Sequence, residues 1–195
     1  QIADEQSKNN SDLRNLIQEY HDGLLLYEVS KREVWDVAAA DTKGLEQWYK
    51  SHKDTYKWEK PRFKGFVFHC KNAKNAKAIK KLLKKYGEGD WRKELKQQFN
   101  KDSVTVSVSG PYLCTQGENA TIDAYAFKTD AKAKTPTGYV MTGVSGKVMK
   151  QPKSYLDVKA QVTSDYQAEC EKNWVEKLRK QFTFSVNDDV LKTVK

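Results

Sequence analysis

Histidine and cysteine, the side chains most often used for catalysis and metal binding, are few in this sequence and far apart. His21, His52 and His69 show neither HxxxH nor HxH spacing, so no pair is set on one helix face or strand to hold a metal. Cys70, Cys114 and Cys170 form no CxxC, which leaves neither a dithiol redox pair nor a zinc knuckle. The odd count leaves at least one thiol free, and Cys70 sits in an apolar stretch that reads as buried strand. No catalytic residue, metal ligand or cofactor follows from these residues. The side chains with most contact chemistry are aromatic: Trp35, Trp48, Tyr49, Tyr56 and Trp58 crowd one part of the chain. They are the candidate contacts for a peptide ligand, although aromatics at helical spacing serve equally well as core.

Charge narrows the classes of partner. The formal net charge is +9 over 195 residues, nearly all of it from lysine. Such a balance admits nucleic acid, anionic lipid or acidic polypeptide. Between Lys71 and Lys85 there is no acidic residue, and Ala76, Ile79, Leu82 and Leu83 mark an inner side to which the lysines are the outer. This face reads as solvated surface, with an acidic client or partner domain as the other reading. Nucleic acid is disfavoured, because the face lacks arginine for bidentate base contacts and interleaved aromatics for stacking. The content is 38% apolar and 31% charged, which supports a real core and argues against a disordered tail. No apolar run approaches the roughly 20 residues of a membrane span. A start at Gln1 reads either as removal of a signal peptide or as a fragment of a longer protein.

The elements follow from periodicity. Residues 1–10 are polar and read as a frayed end, and residues 11–57 as a helical arm. Leu13, Leu16, Ile17, Tyr20, Leu24 and Tyr27 recur at three and four, predicting a helix capped by Ser11. Ser30 and Glu33 have capping-box spacing and predict a second start. Asp41 predicts a third, carrying Leu45, Trp48 and Tyr49. Residues 58–151 read as a small mixed sheet covered by helices. A strand from Arg62 to His69 has apolar residues on both faces, helices follow over Ala73–Tyr86 and from Asp90, and Val104–Val108 reads as a strand turned by Gly110-Pro111. Ile122–Phe127 alternates as a strand, and Tyr139–Lys150 reads as one or two more. Residues 152–195 carry a long helix, with Val158, Val162, Tyr166, Cys170, Trp174 and Leu178 in one stripe, and a short strand over Phe182–Val186. The arm and the long helix each show one apolar stripe, so they are expected to bury them together. The class is α+β.

Three stretches carry a family resemblance. Leu16-Ile-Gln-Glu-Tyr-His-Asp-Gly-Leu-Leu-Leu-Tyr-Glu-Val-Ser30 resembles the core helix of SurA-like periplasmic chaperones. Tyr56-Lys-Trp-Glu-Lys-Pro-Arg-Phe-Lys-Gly65 resembles the entry into a parvulin domain. Tyr155-Leu-Asp-Val-Lys-Ala-Gln-Val-Thr-Ser-Asp-Tyr166, with Trp174–Arg179 and Val186–Leu191, is similar to the helix and closing strand that follow such domains. The resemblance implies a degenerate parvulin-like domain and a fold shared with prolyl isomerases. An isomerase must lower an amide rotation barrier of roughly 18–20 kcal/mol, and the family places two histidines near the twisting bond. Here Phe63 and Val140 stand at those two positions. The resemblance therefore implies a non-catalytic module that holds unfolded or extended envelope or secreted polypeptides, in the periplasm or outside the cell. The binding surface would be a cleft between arm and body lined by the aromatics named above. The alternatives are an active isomerase with an altered site, in which His69 partly substitutes, and a C-terminal fragment whose active parvulin domain has been removed.

Overall fold

The structure, a computed structural model, describes residues 10–87 and 89–193. Of the frayed end expected at residues 1–10, residues 1–9 lie outside them, and Asn10 is ordered as a helix cap. In chain order the elements are α1 (Ser11–Ser30), a π turn (Lys31–Trp35), α2 (Asp36–Ala40), α3 (Thr42–Ser51) and β1 (Arg62–Cys70). A 3-10 turn (Ala73–Asn75), α4 (Ala76–Tyr86), α5 (Trp91–Phe99), β2 (Val106–Thr115), α6 (Ala120–Ile122) and a second π turn (Asp123–Phe127) follow. The chain ends with β3 (Met141–Met149), a 3-10 turn (Tyr155–Val158), α7 (Lys159–Gln181) and α8 (Asp188–Leu191). The α+β class holds. The chain divides into two compact units, Lys57–Lys153 and the combination of Gln1–Tyr56 with Ser154–Lys195.

In the unit made from both ends of the chain, α7 packs on the first π turn, α2 and α3. Val34, Ala38, Leu45, Tyr49, Tyr56, Val158 and Val162 are its buried apolar side chains. Asn10, not Ser11, caps α1, accepting from the backbone N–H of Asp12 and Leu13. The capping box at Ser30 does not form. A cap needs non-helical backbone, and Ser30 at φ −59°, ψ −40° is helical and buried, so the chain runs on into the π turn. The Asp41 cap does form, its Oδ1 accepting from Gly44 N–H at 2.9 Å.

The expected burial of the α1 stripe fails: Leu16, Tyr20 and Leu24 are 48%, 68% and 68% exposed. The π turn supplies the reason. At 100° per residue an unbroken α-helix would place Tyr27 and Val34 about 20° apart, on one face. A π turn closes its hydrogen bond over one more residue, as Asp36 N–H to Lys31 carbonyl does here. That extra residue turns the stripe of α1 by about 100° away from the face on which Val34 and Ala38 are buried. The expected terminal strand is also missing. Residues 182–187 are irregular, and Phe182, Phe184 and Val186 are exposed. Their alternation makes a strand only beside a sheet edge, and among the described residues no strand pairs with them.

In the Lys57–Lys153 unit the sheet has the order β2-β1-β3. Both pairings are antiparallel, so the sheet is not mixed. β1 is buried on both faces, as its sequence predicts. Phe66, Phe68 and Cys70 pack under α4 and α5 with Ile79, Leu82, Leu83, Trp91 and Leu95. Phe63 and Val67 point the other way, against Cys114 and Ile122. Phe68 lies opposite Gly143, where a Cβ would come within 2.7 Å of its ring, so the ring occupies the space a side chain would take. Gly110-Pro111 does not turn the chain. It stays inside β2, where the pairing with β1 shifts between Gly65 and Val67, a bulge that absorbs the proline without ending the strand. Ile122–Phe127 is helical, not extended, because Asn119 accepts from Thr121 and Ile122 N–H and starts a helix.

Gly44 offers a test of packing in the two-ended unit. Alanine in a helix interior normally stabilises by about 1 kcal/mol over glycine. Here a Cβ would stand 2.1 Å from Asp41 Oδ2 and 2.2 Å from the Tyr166 hydroxyl. The clash and the displaced charge-assisted hydrogen bond outweigh the propensity gain, so Gly44→Ala should lower the unfolding free energy by about 1–2 kcal/mol in urea titrations.

Candidate functional site

Four of the five candidate aromatics belong to the two-ended unit, where they are tied to α7. Trp35 Nε1 donates to Glu171 Oε2 at 3.1 Å, and the Trp35 carbonyl accepts from Gln167 Nε2 at 2.9 Å. Trp48 Nε1 donates to the Tyr56 hydroxyl at 2.9 Å, which donates in turn to Asp165 Oδ2 at 2.7 Å. Tyr49 and Tyr56 stack with ring centroids 6.0 Å apart. Tyr166 extends the set, donating to Asp41 Oδ2 at 2.8 Å. Burial, then the hydrogen bond to Asp165, pushes the Tyr56 phenol up to about 12. Burial, then the bond to Asp41, likewise raises Tyr166. Asp41 is held below the usual carboxylate range by the Gly44 N–H and then by the Tyr166 hydroxyl. The fifth aromatic, Trp58, lies in the other unit, buried, with Arg62 5.1 Å above its ring.

Tyr49, Tyr56 and Trp58 are buried, and Trp35 and Trp48 half-buried. The longest run of exposed apolar side chains in the two-ended unit lies on α1. There Leu16, Ile17, Tyr20, Leu24, Leu25, Leu26, Tyr27 and Val29 are all exposed. Sequence periodicity identifies the stripe but assigns it to the interior. The acceptors Asp165, Gln167 and Glu171 escape a reading by motif. Their signal is spacing, since Gln167 and Glu171 stand at i and i+4 on one helix face.

The positions where the parvulin resemblance would put histidines differ sharply. Phe63 is wholly buried in the core beneath Ile122, while Val140 is 68% exposed. His69 lies on β1 with its Nδ1 2.8 Å from Thr142 Oγ1, and Thr142 donates to Thr135 Oγ1 at 3.0 Å. The Tyr139 ring lies 5.8 Å from the imidazole. Burial lowers the His69 pKa. Around it are hydroxyls and a phenol that can orient the ring, and among the described residues no carboxylate is paired with it. The buried thiols of Cys70 and Cys114 are raised by desolvation, which suppresses the thiolate needed for nucleophilic chemistry. Among the described residues no group of three or more histidine, cysteine, aspartate or glutamate side chains could hold a metal. No described helix is long and apolar enough to cross a membrane.

No family model, no curated protein and no solved structure matches this chain.

The depressed pKa of His69 makes a pH prediction. A histidine kept neutral by burial contributes stability above its unfolded value, near 6.5. That contribution is lost as pH falls through the lower folded value. The imidazole resonance of His69, assigned by comparison with His69→Asn, should titrate with a midpoint below about 6.5. The pH dependence of stability in mild acid should flatten in that variant. A midpoint at or above the free value would mean that the cation has a partner.

Proposed function

We propose that this chain is a non-catalytic polypeptide-holding module that binds extended apolar segments of unfolded proteins along α1. One observation carries the reading: among the described residues, a helix of 20 residues leaves most of its apolar stripe exposed. Large exposed apolar patches on folded proteins are associated with binding. Leu13, Leu16, Ile17, Tyr20, Leu24 and Tyr27 span an arc of about 100°, the width a helix normally turns toward a core. Leu25, Leu26 and Val29 lie on the opposite face of the helix and are exposed as well. Leucine and tyrosine on one convex helix enclose no shaped pocket, so they select for apolar character over any particular sequence. That suits clients whose common property is exposed apolar chain.

The resemblance to SurA-like and parvulin-type proteins agrees with this reading and puts its clients among envelope or secreted proteins, in the periplasm or outside the cell. The burial of Phe63, which carries no polar atom, supports the absence of isomerase chemistry at that position. The aromatics Trp35, Trp48, Tyr49 and Tyr56 serve the module indirectly, by fastening the arm from which α1 projects.

The test is suppression of aggregation. Light scattering from thermally unfolding citrate synthase should fall when the protein is added. The variant Leu16→Gln, Tyr20→Gln, Leu24→Gln should lose most of that effect. These side chains are exposed, so replacing them empties no core, and each should change stability by less than about 0.5 kcal/mol. Equal suppression by variant and parent would overturn the reading. So would a parent that sediments as a dimer and a variant that sediments as a monomer, because the stripe would then be a subunit interface.

A further inference from the structure

The Lys57–Lys153 unit contains a cleft of about 630 Å³ between α4 and the sheet, within the size range of ligand sites. Phe66, Leu83 and Pro111 make its apolar floor. Lys64 and Lys147 stand on one side, from β1 and β3, and Lys80 and Lys84 on the other, from α4. Ser145 Oγ donates to the Lys80 carbonyl at 3.4 Å, linking β3 to α4 beside the cleft. Among the described residues, no acidic side chain lines the cleft and no ion pair engages Lys80, Lys84 or Lys147. An adjoining groove continues the charge along α4 through Lys74, Lys77 and Lys81 and shares Lys80 and Lys84 with the cleft.

These features specify a ligand. Lys80, Lys84 and Lys147 around one opening repel one another, so the site gains most from an occupant with several negative charges. The charges are lysines, point cations on flexible stems, and suit carboxylates at varied positions better than they suit planar, bidentate recognition. The apolar floor asks for an aliphatic or aromatic group between the anions. The groove along α4 asks for an extended chain. Nucleic acid fits less well: Phe66 is the one aromatic among the cleft's lining residues and no arginine is among them, so neither successive base stacking nor bidentate base contact is offered.

We propose that this cleft docks an acidic stretch of polypeptide carrying an apolar side chain, with the carboxylates on Lys80, Lys84 and Lys147 and the apolar group against Pro111, which is exposed beside Phe66. The proposal takes from the holding function only the class of ligand. The cleft and the α1 stripe are separate surfaces and can be tested separately.

The experiment is fluorescence anisotropy with a labelled peptide in which glutamates flank one leucine and one phenylalanine, and with its glutamine counterpart. The parent should bind the acidic peptide, and binding should weaken as salt rises. Lys80→Gln, Lys84→Gln, Lys147→Gln together should reduce affinity about tenfold. Replacing Lys172, Lys177 and Lys180 of α7 by Gln removes the same net charge and should reduce affinity less than about twofold. Circular dichroism and thermal melting show whether both variants fold. Equal losses in the two variants would overturn the proposal in favour of undirected attraction to a basic protein. Comparable binding of the glutamine peptide would also overturn it, as would an oligodeoxynucleotide that competes more strongly than the acidic peptide. The α1 variant should bind the acidic peptide like the parent. A parent that binds the acidic peptide but suppresses no aggregation would sink the holding function and leave the cleft standing. Suppression retained with no peptide binding would do the reverse.

Discussion

The two-ended unit depends on hydrogen bonds between aromatic side chains of the arm and polar side chains of α7. Indole and phenol groups are costly to bury unless their N–H and O–H find partners. Trp35 reaches Glu171, and Trp48 acts through Tyr56 on Asp165. Tyr166 returns a bond in the opposite direction, from α7 to Asp41. Partners separated by 109 to 136 residues are thereby fixed in register. Asp41 has two tasks, capping α3 with one oxygen and accepting from Tyr166 with the other, which leaves no room for a Cβ at Gly44. Apolar burial alone would tolerate sliding of α7 along the arm. The polar pairs specify one alignment.

Elements whose signal is local were legible in the sequence. The α4 pattern placed Ala76, Ile79, Leu82 and Leu83 inward, and all four are buried. The two-faced apolar strand expected over Arg62–His69 is the central strand of the sheet, Arg62–Cys70. Asp41 is the cap it was expected to be. Elements that depend on a neighbour were not legible. Phe182, Phe184 and Val186 alternate like a strand and have no sheet to join. Ile122–Phe127 alternates too, but Asn119 commits it to a helix before pairing can occur. Ser30 matches a capping box in every respect except backbone conformation, which letters do not report.

The candidate surfaces were less legible than the fold. Crowding drew attention to Trp35, Trp48, Tyr49, Tyr56 and Trp58, yet their polar edges and stacked faces are used inside the units. The α1 stripe was visible by its period, but its exposure depends on the phase change in the π turn. The lysines of α4 were visible as a run. The partnership of Lys80 and Lys84 with Lys64 and Lys147 requires the packing of α4 on β3.

A unit assembled from both ends of the chain imposes an order on biosynthesis. During translation α1, α2 and α3 leave the ribosome well before α7 exists, while the sheet of the intervening unit is complete in sequence once Met149 has been made. Domains generally fold as units as they emerge. The Lys57–Lys153 segment therefore can close first, and the arm waits with the indoles of Trp35 and Trp48 lacking their final partners. Its attachment is the last long-range event, a loop closure over about a hundred residues whose entropic cost grows only with the logarithm of length. A nascent chain whose emerged part ends between Lys153 and Lys159 would therefore carry a complete insert and an arm that has nothing to dock on.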